Sequence, residues 1–116
     1  MKKAMTGLGL SLVAVAAFAQ GSGGFTGPDN LRVVTTVEAA ALADDTAVKL
    51  QGYILKSLGD ERYEFRDDSG TIVVEIDGDD WHGIKATPET RIELRGEVDK
   101  EWSSTEIDVD SVSLAP

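Results

Sequence analysis

Apolar and polar residues alternate along most of this chain from Ala47 to Leu114. Alternation with a period of two residues is typical of a β-strand that has one face in a core and the other in water. The pattern predicts five strands, separated by clusters of glycine, aspartate and serine. Their apolar residues are Val48, Leu50, Ile54 and Leu55; Tyr63 and Phe65; Ile72, Val74 and Ile76; Ile92, Leu94 and Val98; and Ile107, Val109, Val112 and Leu114.

Irregularities in the alternation predict where the strands bend and turn. Gly52 and Gly96 stand where the pattern slips in the first and fourth strands, as expected at a β-bulge or a sharp bend. The change of parity at Asp110-Ser111 predicts a bulge in the fifth strand. The turn residues 67–70 join the second and third strands as a hairpin.

Two short helical segments complete the pattern. Residues 35–38, Thr-Thr-Val-Glu, fit a capping box, and the alanines after them favour a helix of about two turns. Residues 79–83 fit a single helical turn between the third and fourth strands. Three strands, a short helical crossover and two more strands match the OB-fold, a five-stranded Greek-key barrel. The predicted fold class is all-β, or small α+β if the short N-terminal helix and the helical turn are counted.

The N-terminal region has a different composition. Lys2 and Lys3 precede an uncharged apolar run that reaches Ala17-Phe18-Ala19, the pattern of a signal peptide with an A-x-A cleavage site. The run is shorter than the roughly 20 residues that span a bilayer, which disfavours a retained membrane anchor. We expect a signal peptide over residues 1–19, a flexible glycine-rich segment over 20–34, and a barrel domain over 35–116 located in the periplasm.

The charge balance is strongly acidic, with 21 Asp and Glu against 11 Lys and Arg and a net charge of −10. Cleavage of the signal peptide removes basic residues and no acidic ones. Nucleic-acid binding rests on basic side chains that release counterions from phosphates, and here the long-range field has the opposite sign. We therefore expect no nucleic-acid partner. The absence of cysteine also excludes disulfides and acylation as a lipoprotein.

Groups for catalysis are scarce, because the chain has no cysteine and its only histidine is His82. We expect neither enzyme activity nor a cofactor. Asp77, Asp79, Asp80 and His82 lie close together in sequence and are candidate ligands for a divalent cation, although their spacing is not that of an EF-hand. The alternative, which the pattern favours, is that Asp77 or Asp79 caps the helical turn while the others face water.

The remaining candidates for ligand binding come from the strand pattern. Tyr63 and Phe65 are assigned to the core rather than to a base-stacking surface. Trp81 is expected to cover an open end of the barrel. Trp102 lies in the turn before the fifth strand, near the usual OB-fold binding face; packing over the barrel mouth is the favoured interpretation and ligand contact the alternative. The candidate ligand-binding residues are Arg62, Glu64, Arg66 and Glu75 on the outward face of the second and third strands, together with Trp102.

Several blocks of sequence resemble the bacterial OB-fold (BOF) family of YgiW/YdeI-like periplasmic proteins. The most specific block is Leu94-Arg95-Gly96-Glu97-Val98-Asp99-Lys100-Glu101-Trp102, and others are Leu50-Gln51-Gly52-Tyr53-Ile54 and Gly24-Phe25-Thr26-Gly27-Pro28. The resemblance implies a periplasmic OB-fold without catalytic residues, linked to tolerance of envelope stress. It brings no agreed ligand, so no binding residue is carried over from it.

Two functional hypotheses follow. In the first, the protein is a periplasmic binding module of envelope stress tolerance that takes a small cationic, peptide or glycan ligand on the exposed face of the second and third strands; its partner is then a small molecule, a glycan or an envelope protein. In the second, it is an acidic protein that sequesters metal ions or cationic peptides without a defined site.

The signal-peptide pattern leads to a direct prediction about export. The protein is expected in the periplasmic fraction with a mature N-terminus near Gln20, because the A-x-A site ends at Ala19. N-terminal sequencing of the purified protein measures this. An intact Met1 on soluble protein would contradict it.

Overall fold

The computed structural model describes residues 31–116. The predicted signal peptide, and residues 20–30 of the predicted glycine-rich segment, lie outside the described residues. The elements are α1 (Thr36–Ala40), β1 (Ala47–Gly59), β2 (Arg62–Asp67), β3 (Gly70–Ile76), a 3-10 helix (Gly78–Trp81), β4 (Ile92–Lys100) and β5 (Thr105–Leu114).

The strands form one closed barrel in the order β1-β2-β3-β5-β4. β3 and β5 run parallel, and the other neighbouring pairs are antiparallel. β1 is shared between two neighbours, since residues 47–52 pair with β4 and residues 53–59 pair with β2. This five-stranded barrel, with its short helix and its 3-10 turn between β3 and β4, confirms the predicted OB-fold.

The core is built from the inward-facing side chains of all five strands. Phe65 is the largest of them and is fully buried. With it are buried Val48, Leu50, Ile54, Ile72, Val74, Ile76, Ile92, Leu94, Val98, Ile107, Val109 and Val112. Tyr63 is only partly buried and Leu114 is exposed, so the prediction of a core position is too strong for both. Both lie near strand ends, where fewer neighbouring strands cover them.

Gly96 lies at the predicted bulge between β4 and β5. Arg95 pairs with Ser111 but Gly96 pairs with Val109, so Asp110 is the additional residue. A Cβ at Gly96 would overlap the carbonyl oxygen of β5 residue 108. The bulge inferred from the change of parity is therefore present, and it brings two backbones closer together than a side chain permits.

Gly52 marks the bend at which β1 changes partners. It pairs with Ile92 as the last residue of the β1–β4 ladder, and a Cβ there would overlap the carbonyl oxygen of Arg66. The bulges of β1 fall later, after Ile54 and after Ser57. Gly52 therefore allows β1 to pass close to both β2 and β4, and it does not lie in a bulge.

α1 begins with the predicted capping box. The Thr35 hydroxyl accepts the N–H of Glu38 at 3.1 Å, and the Glu38 carboxylate accepts the N–H of Thr35 at 2.9 Å. The helix ends at Ala40, so it is shorter than the two turns that the sequence predicts. Such a short helix depends on tertiary contacts for its stability.

Asp67 supplies the main polar contact between α1 and the barrel. Its carboxylate accepts the N–H of Thr36 at 2.8 Å and the Thr36 hydroxyl at 3.0 Å. It also accepts the N–H of Ser69 at 2.9 Å and the Ser69 hydroxyl at 2.7 Å. Partial burial by itself would raise the pKa of Asp67, but these hydrogen bonds from Ser69 and Thr36 outweigh burial and hold the pKa below its ordinary value.

The chain is attached to the barrel before α1. Val33 forms an isolated parallel bridge with Lys49, and the Val34 N–H donates to the Lys49 carbonyl at 2.9 Å. Both residues belong to the segment that the sequence assigns to a flexible tail, so that assignment extends a few residues too far. Within residues 31–116, no helix has the length and apolar character needed to cross a membrane.

Replacing Gly52 or Gly96 with alanine is expected to lower the free energy of unfolding by about 1–3 kcal/mol, because the added Cβ pushes two backbones apart. Gly78→Ala is the matched control, since a Cβ there meets no atom within 4 Å, and its effect should stay within about 0.5 kcal/mol. Urea denaturation of the three variants measures the difference. Equal stability of all three would show that the close crossings do not constrain the barrel.

Asp67→Asn is expected to destabilise the protein by about 2 kcal/mol at neutral pH, because it removes a charged hydrogen-bond acceptor. A carboxylate whose folded pKa is depressed contributes above its unfolded pKa, and the contribution disappears as pH falls through the folded pKa. The difference in melting temperature from wild type should therefore shrink as the pH falls below about 4, the ordinary pKa of an aspartate. Asp68→Asn is the control, because no hydrogen bond of its side chain occurs within residues 31–116. A pH-independent difference would contradict the role of the charge.

Candidate functional site

An open groove with a volume of about 530 Å³ lies beside the second half of β1. One wall is formed by residues 54–57 of β1, and the other by residues 83–88, between the 3-10 helix and β4. Tyr63, Gly78 and Trp81 complete the lining. This volume lies within the roughly 300–1,000 Å³ typical of small-molecule sites. We call this surface the β1 groove.

The β1 groove exists because β1 extends past the start of β4. The ladder between these strands ends at Gly52 and Ile92, and within residues 31–116 the rest of β1 pairs only with β2. Leu55 is an additional residue opposite β2, since the register shifts between Ile54 and Lys56. A bulge bends its strand and redirects side chains. The edge of β1 thereby faces the groove.

Two aromatic rings line the β1 groove. The centroids of Tyr63 and Trp81 lie 5.5 Å apart with the planes at 84°, an edge-to-face pair. Both side chains are partly buried and pack against the core. The expectation that Trp81 covers an open end of the barrel stays a prediction. The exposed parts of the rings offer an apolar surface to a ligand.

A lysine lies on each wall of the β1 groove. Lys56 approaches Glu64 at 4.0 Å, and its side chain is 65% exposed. Lys85 is exposed and forms no ion pair with any residue of the described range. An ion pair as long and exposed as that of Lys56 contributes little, so both ammonium groups are available to an anionic group.

The outward face of β2 and β3 carries the residues predicted to bind a ligand. Arg62 lies opposite Glu75, as the alternation indicates. The Arg62 Nε donates to both carboxylate oxygens of Glu106, at 3.2 and 3.1 Å. This hydrogen bond and the charge of Glu106 raise the pKa of Arg62, and the charge of Glu75 adds to the effect. The Arg62 guanidinium is therefore already paired within the protein.

The other charged groups of this face also have partners. Glu64 lies near Lys56, and the Arg66 guanidinium lies 5.0 Å from the centroid of the Tyr53 ring. A cation over an aromatic ring is held by the ring quadrupole. Arg62, Glu64, Arg66 and Glu75 share one face, but none of them lines the β1 groove. Their role in ligand binding stays a prediction.

Trp102 lies at the tip of the β4–β5 hairpin, where the Glu101 N–H donates to the Ser104 carbonyl at 2.8 Å. Its relative exposure is 98%. The favoured interpretation, that Trp102 packs over the barrel mouth, is therefore wrong. The hairpin turn extends beyond the barrel, so no element within residues 31–116 covers the indole.

The candidate metal ligands are not gathered into one centre. Within residues 31–116, no group of three or more His, Asp and Glu side chains has the geometry of a metal site. Asp77 is the N-cap of the 3-10 helix but its side chain makes no capping hydrogen bond. The backbone of His82 adopts a left-handed conformation, with φ of 52°. Its side-chain Nδ1 lies 3.4 Å from the Val112 carbonyl oxygen. Asp79 and Asp80 lie in the first turn of the 3-10 helix.

Carboxylates of β5 lie near this acidic segment, which the sequence did not indicate. Partial burial raises the pKa of Asp108, and the charges of Asp110, Asp99, Asp77 and Asp80 raise it further. Burial and the charge of Asp80 likewise raise the pKa of Asp110. One side of the barrel therefore concentrates negative charge.

Sequence reasoning missed most of the β1 groove. Ile84 and Ala86 alternate with Lys85 and Thr87, a period of two outside any predicted strand. That short alternation was the available signal for an extended wall. The bulge at Leu55 has no signal in the sequence, because it depends on the register between β1 and β2.

A closed barrel in this strand order, with a groove at the seam between two strands, defines an OB-fold protein. The family described as bacterial OB-fold (BOF) protein matches residues 12–114. The chain belongs to this BOF family, which confirms the resemblance noted in its sequence. The relatives are named as OB-fold proteins or by name alone, and not as enzymes.

Individual relatives are similar over most of their length. The chain is 50% identical over 115 residues to Protein YgiW of Escherichia coli K12, which covers 89% of this chain and 88% of YgiW. It is 46% identical over 92 residues to the calcium-regulated OB-fold protein CarO of Pseudomonas aeruginosa, covering 78% and 79%. The solved structure of ygiW from E. coli aligns with a TM-score of 0.72 at 46% identity, covering 81% of this chain and 100% of that one.

Proposed function

We propose that this protein is an exported, non-catalytic binding module of envelope stress tolerance that binds a small molecule, glycan or peptide in the β1 groove. The observation that carries the proposal is the groove itself: about 530 Å³ of open volume with an aromatic pair in its lining. A concave, largely apolar site with a few polar groups is the usual form of a ligand-binding site. The BOF family supplies the coarser assignment, a binding module.

The contacts within the protein favour the β1 groove over the outward face of β2 and β3. On that face Arg62 pairs with Glu106, and Arg66 lies over Tyr53. A ligand there must compete with these partners, which weakens net binding. In the β1 groove, by contrast, Lys85 has no ion pair among the described residues and the rings of Tyr63 and Trp81 are partly exposed.

The lining also supports binding without catalysis. The β1 groove is lined by no carboxylate and no imidazole of the described residues. General acid–base catalysis at neutral pH most often uses one of these groups. Export rests on the signal-peptide pattern of residues 1–19, and the role in stress tolerance rests on the family resemblance.

A second candidate function has one observation in its favour. Charges of Asp77, Asp80 and Asp110 act together on Asp108, so the acidic side attracts cations. Sequestration of metal ions or cationic peptides by this surface would need no defined site. Such binding is weakened strongly by salt, because it depends on exposed charges.

Titration followed by amide chemical shifts distinguishes these possibilities. The ¹⁵N-labelled mature protein is titrated with acetylated tetrapeptides, N-acetylglucosamine disaccharide, spermidine and an oligothymidine strand. At least one peptide or glycan probe is expected to shift amides of residues 54–57 and 83–87 in a saturable manner. Trp81→Leu should weaken this binding about five- to tenfold, because it removes an aromatic contact while keeping an apolar cover.

Trp102→Leu is the matched control, since the same substitution at an indole with 98% exposure leaves the β1 groove intact. Shifts confined to Arg66, Val73 and Glu75 would contradict the proposal in favour of the outward face. Shifts spread over acidic residues and abolished by about 0.3 M salt would favour sequestration. Saturable binding of oligothymidine would contradict the expected absence of a nucleic-acid partner.

A further inference from the structure

The walls of the β1 groove are continuous runs of chain, residues 54–57 and 83–88. Neighbouring side chains of a strand alternate between its two faces. Four consecutive residues of β1 therefore line one groove because the groove runs along the strand edge, where the backbone itself is accessible. The shape of the site is thus set by main chain as much as by side chains.

The backbone on this edge of β1 has no strand partner within residues 31–116. The ladder to β4 ends with the pair Gly52 and Ile92, and residues 53–59 pair with β2 on their other edge. Backbone N–H and C=O groups that are unpaired within a protein are satisfied by water or by a ligand. The edge along the β1 groove is consequently a row of available hydrogen-bonding groups.

The side chains of the opposite wall alternate in burial as those of a strand do, although this wall is not part of the sheet. Ile84 and Ala86 are partly buried against the core, while Lys85 and Thr87 are exposed. The N–H groups of Lys85 and Ala86 make no hydrogen bond with the described residues, and the Thr87 N–H donates to the Thr90 hydroxyl at 3.0 Å. The β1 groove therefore separates two extended segments, each with unused backbone groups.

We infer that the β1 groove binds an extended peptide, which adds to the free edge of β1 as a short strand. The inference rests on the proposed function and specifies its ligand class. Strand addition obtains affinity from backbone hydrogen bonds and specificity from pockets for alternate side chains. At about 3.3 Å per residue, a wall of four residues matches a segment of about four residues. The bulge between Ser57 and Gly59 interrupts β1 just beyond this wall and limits longer pairing.

The lining defines the side chains of this peptide. Tyr63 and Trp81 provide a surface for an apolar or aromatic side chain. Lys56 and Lys85, one on each wall, attract a carboxylate from an acidic side chain or a free C-terminus. Both lysines line the β1 groove, although the chain has a net charge of −10. The expected ligand is therefore an apolar peptide that carries at least one carboxylate.

The test uses a set of N-acetylated, C-amidated tetrapeptides in which valine, leucine or phenylalanine alternates with one aspartate, so that the aspartate is the peptide's single carboxylate. Peptides of this set are expected to protect the amides of residues 54–57 from hydrogen exchange. They should also give cross-strand contacts with β1 in NMR spectra. N-methylation of the peptide at alternate residues, on the edge that faces β1, should weaken binding at least tenfold. N-methylation at the intervening residues, whose N–H groups face the other wall, should weaken it less.

Charge is tested with matched variants. Lys85→Glu should weaken binding about fivefold, as should replacing the peptide's aspartate by asparagine. Arg32→Glu makes the same change of net charge at an exposed residue outside the β1 groove, and it should leave the affinity unchanged. Equal weakening by both variants would show that only the long-range field matters and would overturn the role of the lysines.

The outcomes separate this inference from the proposed function. Shifts in the β1 groove with the disaccharide but with no tetrapeptide would overturn the inference and leave the proposed function standing. No response of the β1 groove to any probe would overturn both. Amide shifts in residues 54–57 that depend on protein concentration alone would assign the edge to a second copy of this chain, and would also overturn the inference. Peptide binding insensitive to N-methylation would exclude strand addition.

Discussion

The barrel depends on the close approach of backbones at two glycines. At Gly52 and Gly96 the neighbouring carbonyl oxygens of residues 66 and 108 occupy the space that a Cβ would need. Closing five strands around so small a core requires strong bending, and a side chain at either position would hold the strands apart. The rest of the fold depends on these two close crossings. They allow the barrel to close, and the closed barrel sets the core positions, the strand order and the surface on which α1 docks.

The same constraint generates the β1 groove. Because β1 bends at Gly52 and transfers its pairing from β4 to β2, the seam between β1 and β4 stays open beyond Ile92. The segment that follows the 3-10 helix crosses this opening without joining the sheet. Trp81 and Tyr63 cover the core beneath it. The β1 groove thus results from how the barrel closes and needs no loop insertion.

Charge is distributed unevenly over this frame. Carboxylates dominate the chain and act on one another along β5, where they raise the pKa of Asp108 and Asp110. The cations Arg62 and Arg66 are held by partners on the outer face of β2 and β3. The lysines on the walls of the β1 groove have weaker partners. Lys56 lies 4.0 Å from Glu64, and Lys85 forms no ion pair within residues 31–116. Two lysines therefore line the β1 groove of a chain whose net charge is −10.

The sequence by itself determined the barrel. Strand periodicity, the capping box at Thr35 and the parity change at Asp110 are local signals, and the fold follows from them because each concerns neighbours in the chain. Tertiary structure alone decided the exposure of Trp102, the edge-to-face contact of Tyr63 with Trp81, and the opening between β1 and residues 83–88. These features depend on the register between distant segments and on where one strand outruns its partner, which no short window of sequence records.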